Sequence, residues 1–272
     1  MAAESEDILY SSLSTLYDYA PVTHSSAGDE FIYSAPFAPL TVALRTPDTA
    51  AKNWDLHASS IWVASIFIAD HLPELLALLP LHSRVLELGA GAGLPSILLS
   101  KAASHAQIVC SDYPDDAIIA ALEDSVTRNF ASGVHVVPYA WGSDPALLLV
   151  HAPGGFDVVL AADTLWNSDT HELLLQSLER TLARREDARV HCVAGLHTGR
   201  YTIAAFIKRL SKHGLVVHDA SEREVSGEGR RDWDVTRAEL EDERERRRWV
   251  VWIAIGWDSD GVDACRAAVG DC

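Results

Sequence analysis

The sequence predicts an α/β fold: a doubly wound, mostly parallel seven-stranded sheet with an antiparallel last strand. Three observations predict it. Between Arg84 and Ser221, short runs rich in Val, Ile and Leu alternate with helical segments. Those runs are apolar along their whole length, as strands buried on both faces of a parallel sheet are. The final run, Trp249–Trp257, is joined to the one before it by a charged stretch and not by an ordinary crossover helix, so it returns antiparallel.

Residues 1–55 read as an N-terminal tail with a small hairpin. The tail is rich in Ser, Asp and Glu, and "EFIYSAPFAPLTVALR" (Glu30–Arg45) places β-formers on either side of a Pro-containing stretch. "SSIWVASIFIADHLPELLALL" (Ser59–Leu79) opens with serines suited to an N-cap and continues as an apolar helix, which Pro73 breaks or kinks. Then come the strand "RVLELG", the helix "LPSILLSKAAS", the strand "AQIVCSD", and the helix "PDDAIIAALEDSVTRNF" with Pro114 at its first position. "GVHVVPY" and "FDVVLAAD" are the third and fourth strands. The helix "SDTHELLLQSLERTLARRE" is capped near Ser168 or Asp169. "ARVHCVAGL", the helix "TIAAFIKRLSKHG", "LVVHDAS" and "WVVWIAIGW" complete the pattern. One domain therefore spans 56–258, with a charged insertion at about 222–248 and a tail at 259–272. The insertion's run of Arg and Glu reads as a solvated loop or helix.

A net charge of −17 argues against a groove for nucleic acid, whose affinity comes from Lys and Arg. Cys110, Cys192, Cys265 and Cys272 have no metal-ligand spacing, and the first two sit in apolar runs as buried free thiols. The N-terminus lacks the basic and apolar regions of a signal peptide, and no apolar run is long enough for a membrane span. A cytoplasmic monomer, with no metal and no membrane, is the expectation.

The turn "ELGAGAG" after the first core strand narrows the chemistry. A dinucleotide turn is G-x-G-x-x-G, but counting from Gly89 the third position is Leu94. Glycines instead stand at 89, 91 and 93, behind Glu87. A donor without pyrophosphate needs no phosphate cradle, only backbone room and an acid near its ammonium. Asp112, closing "QIVCSD", can accept hydrogen bonds from two neighbouring ribose hydroxyls.

These features resemble the seven-strand S-adenosylmethionine-dependent methyltransferases. The segments "SSIWVASIFIADHL", "VLELGAGAGLPSI", "SDYPD", "YAWG" and "VVLAADTLWN" resemble the nicotinamide N-methyltransferase-like and protein-lysine methyltransferase branch, over about Leu56 to Leu196. Within it they are most similar to the fungal enzymes that methylate the N-terminal amine and a nearby lysine of translation elongation factor 1-alpha. The resemblance implies an S-adenosylmethionine site formed by Trp62, Glu87, Gly89, Ala90, Gly91, Asp112, Trp141 and Ala162. Flat indoles suit adenine, although tryptophan also fills ordinary cores.

Acceptor chemistry belongs after the fourth strand, where relatives carry Asp-x-x-Tyr. This chain has Asp163-Thr164-Leu165-Trp166. The phenol is absent, but the Trp166 face can hold an ammonium or its methylated form. Asp163 is the candidate to orient the amine or take its proton; an N-cap or loop carboxylate is its alternative. His171 and His197 are packing or surface histidines. The expected activity is N-methylation of a protein lysine or N-terminal amine, elongation factor 1-alpha being the named partner. Methylation of a small heteroaromatic amine such as nicotinamide is an alternative, as is a non-catalytic donor-binding module.

Overall fold

The computed structural model describes residues 21–49, 53 and 56–258. Residues 1–20 and 259–272 of the expected tails, with Cys265 and Cys272, lie outside the described residues.

In chain order the elements are β1 (Thr23–His24), β2 (Glu30–Ser34), β3 (Thr41–Arg45), β4 (Ile61–Trp62), α1 (Val63–Asp70), α2 (Leu72–Leu78), β5 (Arg84–Leu88), α3 (Leu94–Ala102), β6 (Gln107–Asp112) and α4 (Asp116–Arg128). They continue with β7 (Val134–Pro138), α5 (Ala146–Leu149), β8 (Val158–Ala162), α6 (His171–Thr181), β9 (Arg189–Gly195), α7 (Arg200–Arg209), β10 (Leu215–Glu224), β11 (Arg230–Asp232), α8 (Glu243–Arg247) and β12 (Trp249–Trp257).

The main sheet has the order β11-β10-β12-β9-β8-β5-β6-β7. Strands β7, β6, β5, β8 and β9 are parallel, and β12 runs antiparallel between β9 and β10. The order reverses at β5, with β6 on one side and β8 on the other, and it is outside the carboxyl ends of such strands that ligands bind. Strand side chains alternate between the two faces. Leu86, Val159 and Val251 pack with Leu174, Leu178 and Phe206 on one face. Val85, Val158 and Val250 pack with Phe67, Leu94 and Ile97 on the other.

The structure corrects the sequence expectation at several points. The sheet has eight strands, not seven, because Arg230–Asp232 from the charged insertion pairs antiparallel with β10. The helix expected from Ser59 begins instead at Val63, after a short strand, and no side chain caps it. It ends at His71, with Pro73 inside the first turn of α2, where proline's missing N–H has no partner to lose. Pro114 precedes α4 without entering it, because Asp115 is the N-cap and accepts from the Ala117 and Ile118 N–H groups. Neither Ser168 nor Asp169 caps α6; Thr170 holds that position, and its hydroxyl donates to the Asn167 carbonyl.

The β2–β3 hairpin is part of the core, with Tyr33, Val42 and Leu44 buried. Helix α4 satisfies the outer edge of β3: the Ala43 N–H donates to Asn129 Oδ1 and the Arg45 N–H to Ser125 Oγ. Tyr33 donates to Asp70 at the end of α1, fastening the hairpin to the helix that follows Trp62. Cys110 and Cys192 are buried free thiols, and burial pushes the Cys192 thiol up to about 12.

Candidate active site

A cavity of about 290 Å³ lies at the carboxyl ends of β5, β6 and β8. Trp62, Glu87, Gly89, Ala90, Gly91, Asp112, Trp141, Ala162, Asp163 and Trp166 all line it. Residues scattered over a hundred positions of sequence thus meet at the point where the strand order reverses.

The glycine turn divides its work between packing and access. Gly89, Gly91 and Gly93 have φ of +70°, +54° and +82°, a left-handed backbone that side chains oppose. A Cβ at Gly89 would lie 3.1 Å from Thr164 Cγ2 and 3.2 Å from Trp141 Cζ2. One at Gly93 would lie 2.6 Å from Leu122 Cδ1 on α4. The space beside Gly91, which lines the cavity, is open to 4 Å.

Two carboxyl groups flank the turn. Glu87 is fully buried, and the Ser96 N–H and hydroxyl donate to its Oε2 at 3.0 and 2.5 Å. Burial raises its pKa to about 7, against the lowering effect of those bonds. Asp112 accepts from the Gly91 N–H through Oδ2 at 2.6 Å and from the Tyr113 N–H through Oδ1 at 2.7 Å. Its pKa is also raised, with burial the largest cause. Each carboxylate oxygen retains a lone pair for a further donor. Trp141 covers Gly89, and its turn is fixed by the Gly142 N–H donating to Ser177 Oγ at 2.8 Å.

At the other end the cavity is aromatic. The Trp62 indole N–H donates to the His57 carbonyl at 2.7 Å, and its ring stacks on His197 with centroids 5.5 Å apart. His57 meets the Trp166 ring edge-on, with centroids 4.7 Å apart. Behind this wall, His171 is completely buried against Phe206, and its Nε2 pairs with the Leu165 carbonyl at 3.0 Å. It holds the Asp163–Trp166 loop and faces no ligand.

Asp163, the candidate to orient the amine or take its proton, has both oxygens on backbone donors, as the loop-carboxylate alternative also expects. Its φ is +50°, Oδ2 accepts from the Ala64 N–H at 2.9 Å, and Oδ1 accepts from the Gly195 N–H at 2.7 Å. The side chain is buried, which raises its pKa, while the nearby His197 and the two N–H groups oppose the rise. Asp163 therefore ties the first turn of α1 to the ends of β8 and β9. The site also holds Tyr113, Asn167 and the Glu87 partner Ser96, which lie within the family-like segments without a role of their own, and His57, which lies outside them. His57 stands alone ahead of "SSIW", with no motif or periodicity to mark it.

The donor set suits a molecule with a cationic end, a diol and a flat ring. Glu87 and Asp112 offer carboxylate acceptors, Gly91 leaves backbone room, and Trp141 offers an aromatic face.

Known proteins bear on this geometry. The chain is 30% identical over 149 residues to a protein N-terminal and lysine N-methyltransferase of Emericella nidulans, covering 49% of this chain and 56% of that protein. It is 33% identical over 145 residues to the protein of the same description in Schizosaccharomyces pombe, covering 50% and 55%. The chain spans about half the length of the curated relatives it matches. Among solved structures, the glycopeptide N-methyltransferase MtfA complexed with sinefungin aligns with a TM-score of 0.50 at 10% identity, over 70% of this chain and 86% of that one. An S-adenosylmethionine-dependent methyltransferase from Clostridium acetobutylicum aligns with a TM-score of 0.50 at 9% identity, over 72% and 92%. These two likenesses agree with the Rossmann-like methyltransferase fold. Residues 49–213 match the family described as lysine methyltransferase, and the chain belongs to that family.

Proposed function

We propose that the protein is an S-adenosylmethionine-dependent N-methyltransferase whose acceptor is a protein amine, with a lysine or the N-terminal amine of elongation factor 1-alpha as the first candidate. One observation carries the reading: a single cavity joins an acid-flanked glycine turn to an aromatic mouth. Family membership and the names of the fungal relatives support a protein acceptor. Exposed His57, Ser168 and Asp169 flank Trp166, as suits an acceptor borne on a large molecule.

The bound donor supplies an electrophilic methyl on a sulfonium sulfur. In this reading Asp112 accepts the ribose hydroxyls, Glu87 lies toward the ammonium, and Gly91 gives the backbone room to approach. Ala90 and Ala162 line the site without filling it, while Trp62 and Trp141 supply flat apolar walls. Trp166 keeps a cationic acceptor against its π face. Because in-line methyl transfer needs alignment and exclusion of water more than covalent help, such walls account for much of the expected rate.

The test is incubation of the purified protein with methyl-labelled donor and a lysate of cells lacking the enzyme, counting protein and small-molecule fractions separately. A single labelled protein band is expected, and elongation factor 1-alpha is the band to identify first. Label confined to small molecules would favour a nicotinamide-like acceptor. Label in neither fraction, with donor binding intact, would overturn the enzymatic reading.

Glu87 sets a pH dependence on donor binding. In the donor-free protein its pKa rises from an ordinary 4.5 to about 7. The folded state thus holds a proton that the unfolded chain has released, and this group's contribution to stability is lost as pH rises from about 4.5 through 7. A cationic donor favours the ionised form, so binding below pH 7 must first expel the proton. Donor affinity measured by calorimetry should rise roughly five- to tenfold between pH 6 and 7.5. The rise should flatten in Glu87→Gln; an equal rise in both proteins would remove Glu87 from the ammonium.

A further inference from the structure

We propose that His57 is the group that takes the proton from the incoming amine, an inference that rests on the methyl-transfer reading above. An amine acceptor arrives protonated, because a lysine ammonium has a pKa near 10.4. Its lone pair must be freed at the cavity. Among the described residues, the titratable side chains lining the cavity are His57, Glu87, Asp112, Tyr113, Tyr139 and Asp163.

Position sets Glu87, Asp112 and Tyr113 apart from the acceptor end, and Tyr139 and Asp163 are already engaged in hydrogen bonds within the fold. Glu87 and Asp112 flank the glycine turn, and Tyr113 adjoins Asp112. Tyr139 is buried, with its hydroxyl committed to Ser177 and to the Ser143 carbonyl. Asp163 gives one oxygen to the Ala64 N–H and the other to the Gly195 N–H.

His57 is different on every count. Its ring lies edge-on to Trp166, the indole offered to the acceptor, at 4.7 Å, and to Trp62 at 5.9 Å. Both neighbours are uncharged. Its backbone is fixed in a left-handed conformation (φ +51°), and its carbonyl accepts the Trp62 indole N–H. Neither ring nitrogen is hydrogen-bonded to a described residue, and the residue is exposed. A ring held in place by its edges, with nitrogens bonded to no described residue and with access to water, is arranged to accept a proton and pass it on.

The step balances. An ammonium N–H proton moves to an imidazole nitrogen, and the released lone pair forms the N–C bond to the donated methyl. The C–S bond breaks with its pair left on sulfur. The product leaves as a methylated ammonium, and the imidazolium returns its proton to solvent.

His57→Gly and His57→Asn test this, since both residues tolerate a positive φ. Initial rates of label transfer to the protein fraction of the same lysate are measured from pH 6 to 10, and donor affinity by calorimetry. A positioned base contributes about 10²- to 10⁴-fold, so both variants should lose roughly 100-fold or more at pH 7 with donor affinity essentially unchanged. The variants should climb about tenfold per pH unit toward the amine pKa, more steeply than the wild type. Added imidazole should restore part of the His57→Gly rate and leave the wild type unaffected. Variants with the wild-type rate and profile would overturn the inference alone, as would a loss of donor affinity matching the loss of rate. A wild-type protein that transfers no methyl would overturn it together with the reading beneath it.

Discussion

Asp112→Ala should weaken donor binding by about two to four orders of magnitude. The estimate takes two ribose hydroxyls donating to one carboxylate, each bond to a charged group contributing about 1.5–3 kcal/mol, at 1.4 kcal/mol per tenfold in affinity. The substitution also strips the Gly91 and Tyr113 N–H groups of their acceptor, and those bonds hold the glycine turn against the end of β6. Asp112→Asn separates the two effects, because the amide retains one oxygen and nearly the same shape while losing the charge. Its affinity should fall between wild type and Asp112→Ala, with a melting temperature close to wild type. Calorimetric titration of the donor checks both variants. An unchanged affinity in Asp112→Ala would move the ribose elsewhere in the cavity.

What the sequence made legible has a common physical origin: it is written in local runs. The core strands are continuous apolar segments, so their order and the antiparallel return of Trp249–Trp257 can be read without coordinates. The three glycines are legible because their left-handed backbone excludes other residues, and Asp112 because it closes a strand. What is not legible belongs to contacts between distant segments. The type and position of Asp163 suit a base, while its partners lie 99 and 32 residues away and are backbone N–H groups, which no side-chain pattern advertises. Strand β11 is Arg-Arg-Asp, with no apolar residue to announce it, and it exists because the β10 edge is there to pair with. The insertion read as solvated since Arg and Glu alternate along it; nothing local reveals that Glu222 turns inward to meet an arginine from α7. His57 has neither motif nor period, and only the two indoles that bracket it give it meaning.

That inward turn supports the second large prediction, a loss of about 3–5 kcal/mol of stability in Arg200→Met. Arg200 and Glu222 have fully buried side chains and Glu241 nearly so, at 0%, 0% and 4% exposure. The guanidinium donates to both Glu222 oxygens, at 2.5 and 2.9 Å, and to both Glu241 oxygens, at 2.7 and 2.8 Å. Arg231 and Arg237 add further bonds to Glu222, which links β10, β11 and the turn after Asp234 to the head of α7. Burying such a cluster adds little over a well-packed apolar one, but removing its central cation takes four hydrogen bonds from two buried carboxylates and leaves Glu222 to Arg231 and Arg237. Burial alone would raise the Glu222 pKa; the bonds from Arg200 and Arg231 and the Arg200 charge outweigh it and hold the group below the usual carboxylate range. Its contribution is therefore present above pH about 4.5 and lost as pH falls through the depressed native value. For a domain of this size the expected loss corresponds to a melting temperature lower by roughly 6–20 °C at neutral pH. The deficit should narrow toward acid as Glu222 and Glu241 protonate. Arg248→Ala, at an exposed ion pair with Glu224, should leave the melting temperature almost unmoved. Because α8 packs beside the Leu196–Thr198 turn that carries His197 behind Trp62, loosening the insertion should also be felt at the acceptor mouth. Trypsin should then cut Arg200→Met within residues 223–248 before any other described segment. Wild-type melting and wild-type resistance to trypsin in that variant would show that the insertion is held by β10 pairing and packing alone.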